Sequence, residues 1–193
     1  MNKILALVIV TLLLAYACKS GKDASNHQHQ AAVADQPVDT LKKSIPKEVH
    51  TMIGQAHITL KYYAPAVRGR QIWGGLVPYG EVWVTGAHRA TSFEISEDFT
   101  IAGNRIAAGK YALFTIPGQE TWVFIINKKW DQHLSDEYNI ADDVARIEVK
   151  PEVTNEIQER LKYTIQVSSN SAATLNIRWE KINLSIPFEI QKK

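Results

Sequence analysis

Leu175-Asn176-Ile177-Arg178-Trp179-Glu180-Lys181-Ile182-Asn183-Leu184-Ser185-Ile186-Pro187-Phe188 decides the fold class. Leu175, Ile177 and Trp179 share one parity, whereas Ile182, Leu184, Ile186 and Phe188 share the other. Alternation of this kind puts one set of side chains on each face of a strand. One inserted residue reverses the buried face, so the switch predicts a bulge or corner at Glu180-Lys181.

The same period recurs upstream. Leu161, Tyr163, Ile165 and Val167 form one set, and Ile147 with Val149 another. Trp122, Phe124 and Ile126 alternate with their neighbours, as do Tyr111, Leu113 and Thr115, and Ile58, Leu60 and Tyr62. Gly103-Asn104, between Ile101 and Ile106, sits where a two-residue hairpin turn belongs. Helical signals are few: a turn around Ala141–Arg146 and a short helix within Glu152–Glu159. Eight or more short strands with Gly and Pro punctuation predict a mainly β chain, folded as a single antiparallel sandwich or barrel-like domain.

That domain is expected over residues 45–193. Ahead of it stand two segments without sheet character. Met1-Asn2-Lys3 is a charged start, and Ile4 to Ala17 is an apolar run of 14 residues broken only by Thr11. A bilayer-spanning helix needs about 20 such residues, so the run fits a signal peptide over residues 1–17. Leu14-Ala15-Tyr16-Ala17-Cys18 resembles a lipobox, with cleavage before a diacylated Cys18. Cys18 is the sole cysteine, so it has no disulfide partner within the chain, and lipidation gives it a role. Residues 18–44 are polar, and no aromatic residue occurs between Lys19 and Lys43. Such a stretch cannot bury enough apolar surface to offset its ordering entropy, and it reads as a tether. His27-Gln28-His29 within it offers two nitrogens, too few for a metal site.

Removal of residues 1–17 takes Lys3 and lowers the net charge from +2 to +1 (21 basic, 20 acidic). A nucleic-acid partner normally leaves a basic footprint, and none is present. Lys19-Ser20-Gly21-Lys22-Asp23 is not acidic, which favours an anchor in the outer membrane facing the periplasm.

Between the first strands lies Ala64-Pro65-Ala66-Val67-Arg68-Gly69-Arg70, leading into Ile72-Trp73-Gly74-Gly75-Leu76-Val77-Pro78-Tyr79-Gly80-Glu81-Val82-Trp83. Thr85-Gly86-Ala87, Ala108-Gly109-Lys110-Tyr111 and Phe114-Thr115-Ile116-Pro117-Gly118 follow. This ordered series resembles the family called domain of unknown function 2911 and covers nearly the whole domain. The resemblance implies a secreted or lipid-anchored β-rich protein without an assigned activity, and it carries over no catalytic residue. Many members read Trp-Arg-Thr-Gly-Ala-Asn where this chain has Trp83-Val84-Thr85-Gly86-Ala87-His88. Any role of that Arg and Asn does not transfer.

No Gly-x-Ser-x-Gly elbow, His-Glu-x-x-His pair, phosphate-cradling loop or reactive thiol is present. His57, His88 and His133 are the candidate metal ligands, for zinc or a similar divalent ion, with Asp131 and Asp136 as acidic company. The alternative is three independent surface histidines. Arg68 and Arg70 flank Gly69 and form a candidate anion site, since guanidinium groups grip oxyanions through paired donors. The competing expectation is that they pair with acids such as Glu81 or Glu94. Among five tryptophans, Trp122 and Trp179 are in phase with strand aliphatics, while Trp73 and Trp130 stand in loop surroundings as possible glycan platforms.

Two function classes follow. One is a non-enzymatic, membrane-anchored envelope lipoprotein that binds a small molecule, glycan or protein. The other is a metal-dependent hydrolase built on His57, His88 and His133.

Overall fold

A computed structural model describes residues 40–191, all within the unit Asp39–Lys193. Cys18, the apolar N-terminal run and His27 and His29 lie outside the described residues. Ten strands follow a 3₁₀ turn at Thr40–Lys42: β1 (Ile45–Ile53), β2 (Ala56–Ala64), β3 (Thr91–Ile95), β4 (Phe99–Ile101) and β5 (Asn104–Ile106). Next come β6 (Gly109–Ile116), β7 (Trp122–Asn127), β8 (Asp143–Val149), β9 (Glu152–Val167) and β10 (Ala172–Ile190). They form a six-stranded sheet, β1-β2-β3-β6-β7-β8, and a four-stranded sheet, β5-β4-β10-β9. Every named pair is antiparallel. Neither sheet closes on itself, so the expected architecture resolves to a sandwich.

The alternating apolar sets meet between the sheets. Ile58, Leu60, Phe93, Leu113, Phe124 and Ile126 of the large sheet share one buried cluster with Leu161, Tyr163, Ile177, Trp179 and Phe188 of the small one. Removing these side chains from water supplies the main force holding the sheets together.

The parity switch in β10 is real. Buried positions run Ala173, Leu175, Ile177, Trp179, then Leu184, Ile186, Phe188. The pairing with β9 shifts register on both sides of Glu180, which sits at φ 53.

Two local expectations need correction. The hairpin loop is Ala102-Gly103, because Ile101 pairs with Asn104, and both loop residues have positive φ (47 and 79). That is the backbone of a mirror-type turn, one residue earlier than Gly103-Asn104. Glu152–Glu159 is not helical but the first half of β9. Val153 and Ile157, four apart among charged residues, mimic a helical stripe. Cross-strand pairing with Ile182 and Glu180 overrides that local preference.

The outer face of the large sheet is where β1, β2, β3 and β6 stop being symmetrical with their inner face. Over β6 and β7 it carries a second cluster, Ala112, Phe114 and Ile125 with Val84, Ala90 and Tyr138 from the connecting loops. Over β1, β2 and β3 the outward residues are mainly polar, among them Glu48, His50, His57, Thr59, Lys61, Ser92 and Glu94, with Met52 exposed beside them.

Candidate functional site

Two loops meet above that outer face. Arg89 bridges His133 in antiparallel fashion, the Ala90 amide donates to the Gln132 carbonyl (3.0 Å), and the Leu134 amide donates to the His88 carbonyl (2.7 Å). Residues 86–90 and 129–134 thus form a small arm. Its backbone is strained: Thr85 (φ 48), His88 (φ 63) and Leu134 (φ 51) are three of the six non-glycine residues with positive φ among those described. A β-branched residue such as Thr85 rarely adopts this conformation, and such outliers gather at functional sites. Thr85 is held there because its carbonyl accepts from the Thr91 hydroxyl (3.0 Å) and the buried Tyr163 hydroxyl (2.8 Å). A Cβ on Gly86 would stand 3.0 Å from the Thr91 hydroxyl and 3.3 Å from the Tyr63 carbonyl, so glycine permits the loop's close approach to the sheet.

A buried polar network pins the other loop. Asn127 donates to the Asp143 carboxylate at 2.8 Å and accepts from Gln132 at 3.2 Å. Gln132 also donates to the Lys129 carbonyl, and the Lys129 amide donates to Asn127 (2.9 Å). On its far side Asp143 accepts from Tyr138 (2.5 Å) and Arg146 (2.8 Å). Burial first, and the Asp143 carboxylate second, push the Tyr138 phenol up to about 12.

Between arm and sheet lies a cleft of about 370 Å³, lined by Glu48, Lys61, Tyr63, Ser92, Arg89, Lys110, Trp130 and Asp131 among others. That size falls within the range of small-molecule sites. Strand register explains the assembly: Glu48 pairs Lys61, Lys61 pairs Ser92, and Glu94 pairs Lys110, all with outward parity. Lys61 contacts Glu48 at 3.0 Å, and its ammonium holds the Glu48 carboxyl below the usual range. Arg89 pairs with Asp131 on the arm. Lys110 lies 3.7 Å from the centre of the Trp130 ring, with Glu94 at 3.8 Å.

The expected metal ligands do not converge. His57 is exposed at the start of β2, its amide bound to the Ser96 hydroxyl. His88 packs edge-on against Tyr63 (5.1 Å), six residues further along the strand, about 20 Å at the usual strand rise. His133 stays near His88 through the arm and faces Asp136 at 3.7 Å. Among the described residues no group of three or more His, Cys, Asp or Glu side chains could hold a metal ion. A fourth domain histidine, His50, has the better-organised surroundings. Its Nδ1 lies 3.2 Å from the Thr59 hydroxyl and its Nε2 3.0 Å from Glu48. Strict alternation in β1, with Glu48 and His50 two apart, is the signal that finds this pair.

The arginines also differ from expectation. Arg70 donates to the carbonyls of Val67 (3.1 Å) and Ala66 (2.6 Å), which rigidifies its own loop, and it is not paired with Glu81 or Glu94. The Arg68 amide donates to Glu159 (2.8 Å). Both arginines line a separate cleft of about 320 Å³ beside Trp83 and Trp179. Trp73 is no platform: it packs edge-on against Trp83, Trp122 and Trp179 at 4.7–5.8 Å. Trp130, 41% exposed, remains in the open.

The geometry defines an antiparallel sandwich with a cationic, aromatic-walled cleft on one outer face. A family model described as a protein of unknown function, DUF2911, matches residues 44–188, and the chain belongs to that family. No curated protein and no solved structure matches the chain.

Proposed function

We propose that this domain is a non-enzymatic binding module of the cell envelope, tethered through lipidated Cys18 to the outer membrane and facing the periplasm. Its seat for a small-molecule or glycan ligand is the Trp130 cleft. One observation carries the reading: an exposed indole, Tyr63 and four cationic residues, Lys47, Lys61, Arg89 and Lys110, line a single cavity beneath a strained arm. Concave sites of this size with a few convergent polar groups are where ligands bind. The hydrolase alternative has no comparable support, since His57 stands apart from the other two histidines.

The test is a thermal-shift panel of saccharides, organic acids and phosphates against wild type and Trp130→Ala. A ligand that raises the melting temperature of the wild type alone supports the reading. A panel with no such compound, or one whose hits act equally on both, sinks it. The anchor has its own test: Cys18→Ala should take up no palmitate analogue in cells, and equal labelling of both proteins rules the anchor out.

A further inference from the structure

We infer that the second cleft, lined by Arg68, Arg70, Trp83 and Trp179, takes a small amphiphilic oxyanion, its charged head on the two arginines and its apolar body against the rings and leucines. This site is distinct from the Trp130 cleft, and neither depends on the other. The turn that carries the arginines is built with strain. Arg68 (φ 54) and Gly69 (φ 64) both have positive φ, and the Arg70 amide closes the turn on the Val67 carbonyl (3.1 Å). An arginine rarely adopts this backbone, and here its amide is held by the Glu159 carboxylate (2.8 Å). The Val67 amide donates to the Glu159 carbonyl (2.8 Å), which ties the turn to β9. Two of the five N–H donors of Arg70 hold the carbonyls of Val67 and Ala66, so its guanidinium is fixed before a ligand arrives and keeps donors for it.

The hydrogen-bond inventory of the lining selects an anion. Neither arginine pairs with an acid among the described residues, no Asp or Glu lines the cleft, and Lys42 adds a further positive charge. The acceptors at hand are already engaged. The carbonyls of Lys42, Ala66 and Gly86 accept from the side chains of Arg68, Arg70 and Trp83, and those of Pro65, Val77 and Val84 accept from backbone amides. Trp179 is 2% exposed, and its indole N–H has no acceptor among the described residues. The capacity left over is therefore mainly on the donor side. A sugar hydroxyl brings a donor with every acceptor, whereas an ionised carboxylate or phosphate brings acceptors and matches a guanidinium fork.

The rest of the lining selects an apolar body. Trp83 and Trp179 stack at 5.4 Å, and Leu41, Leu76 and Leu134 are each more than a third exposed around the cavity. Apolar side chains left in water gain by being covered. The cleft's 320 Å³ holds about ten water-sized groups at ~30 Å³ each, room for a head and an alkyl chain of about six carbons.

Isothermal titration of the full-length protein in non-ionic detergent tests this with hexanoate, hexyl phosphate, acetate, hexan-1-ol and hexylammonium. One or both hexyl anions should bind about tenfold or more tightly than the other three, the scale of one charge-assisted contact. Either anion in the lead supports the site, and the leader identifies the head as carboxylate or phosphate. Arg68→Gln and Arg70→Gln should each weaken it several-fold, while Trp130→Ala leaves it unchanged. Where Arg70→Gln lowers the melting temperature, Arg68→Gln decides, because that side chain reaches only the Lys42 carbonyl, at 3.5 Å. Hexanol binding as tightly as the anions overturns the anion seat, acetate doing so overturns the apolar body, and hexylammonium in the lead overturns both arginine roles. Loss of binding in Trp130→Ala puts the ligand in the other cleft and overturns the assignment. No anion binding at ~10 mM, or binding that ignores Arg68→Gln, overturns the inference outright.

Discussion

The two faces of the six-stranded sheet are built from the same strands by different rules. On the inner face each strand offers alternate residues to one cluster shared with the second sheet, and nearly every large side chain there is below 10% exposed. On the outer face β1, β2 and β3 offer mainly polar side chains, while over β6 and β7 two loops are docked by a small apolar cluster and a polar network. The inner face is stabilised by many interchangeable contacts, the outer one by a few specific ones. Stability and recognition are therefore separable here, and substitutions can show it.

Trp179 and Trp130 make the sharpest contrast. Trp179→Ala, in the inter-sheet core, should lose about 3–5 kcal/mol in urea unfolding, the range for emptying a large aromatic site. A loss below 1 kcal/mol would mean that the tryptophan cluster is not a packed unit. Next in size is Asp143→Ala, which strips partners from Asn127, Tyr138 and Arg146. It should cost about 1–3 kcal/mol and speed amide exchange across residues 128–142 while β2, β6 and β7 stay protected. Uniform acceleration would merge the arm with the core and erase the comparison.

Alkaline pH should loosen the arm more gently. The Tyr138 phenol titrates at about 12 in the fold against 10 when unperturbed. A raised acid pKa stabilises the folded state fully below pH 10, and that contribution is lost as pH rises from 10 to 12, because the unfolded chain releases its proton first. Urea midpoints of wild type and Tyr138→Phe should therefore converge between pH 9 and 11.5; a constant gap would remove Tyr138 from the coupling. The smallest effect belongs to Trp130→Ala. An exposed side chain should change stability by less than about 0.5 kcal/mol, even as it removes ligand-induced shifts in the thermal panel.

Period-two patterning made the inner face legible before any coordinates. Leu175 to Phe188 carried both the strand and its bulge, because burial between two sheets acts on every second residue. The β9 segment at Glu152 misled for the converse reason: Val153 and Ile157 are 73% and 58% exposed, so no core contact stamps a period on that half of the strand. The cleft was barely legible. Trp130 stood out as a loop aromatic, but Lys61, the Arg89–Ser92 stretch and Lys110 come from three separate segments joined only by register and by the arm. Nothing in the local sequence around His88 or His133 encodes how far His57 will stand from them. Distance between strand ends is a property of topology.

The length of β10 has a consequence for when the fold can exist. This strand is the only link between β9 and the β4–β5 hairpin, and its last residues pair with β4, some ninety positions earlier. The six-stranded sheet draws all its strands from residues 45–149, so it can assemble while the chain is still emerging. The small sheet waits for Ala172–Ile190, and until then the apolar side of the large sheet has no cover. Loop closure over such a separation is slow, and uncovered sheet faces are where chains aggregate. An emerging chain of this kind is exposed to holding factors until its final strand arrives, whichever compartment it folds in.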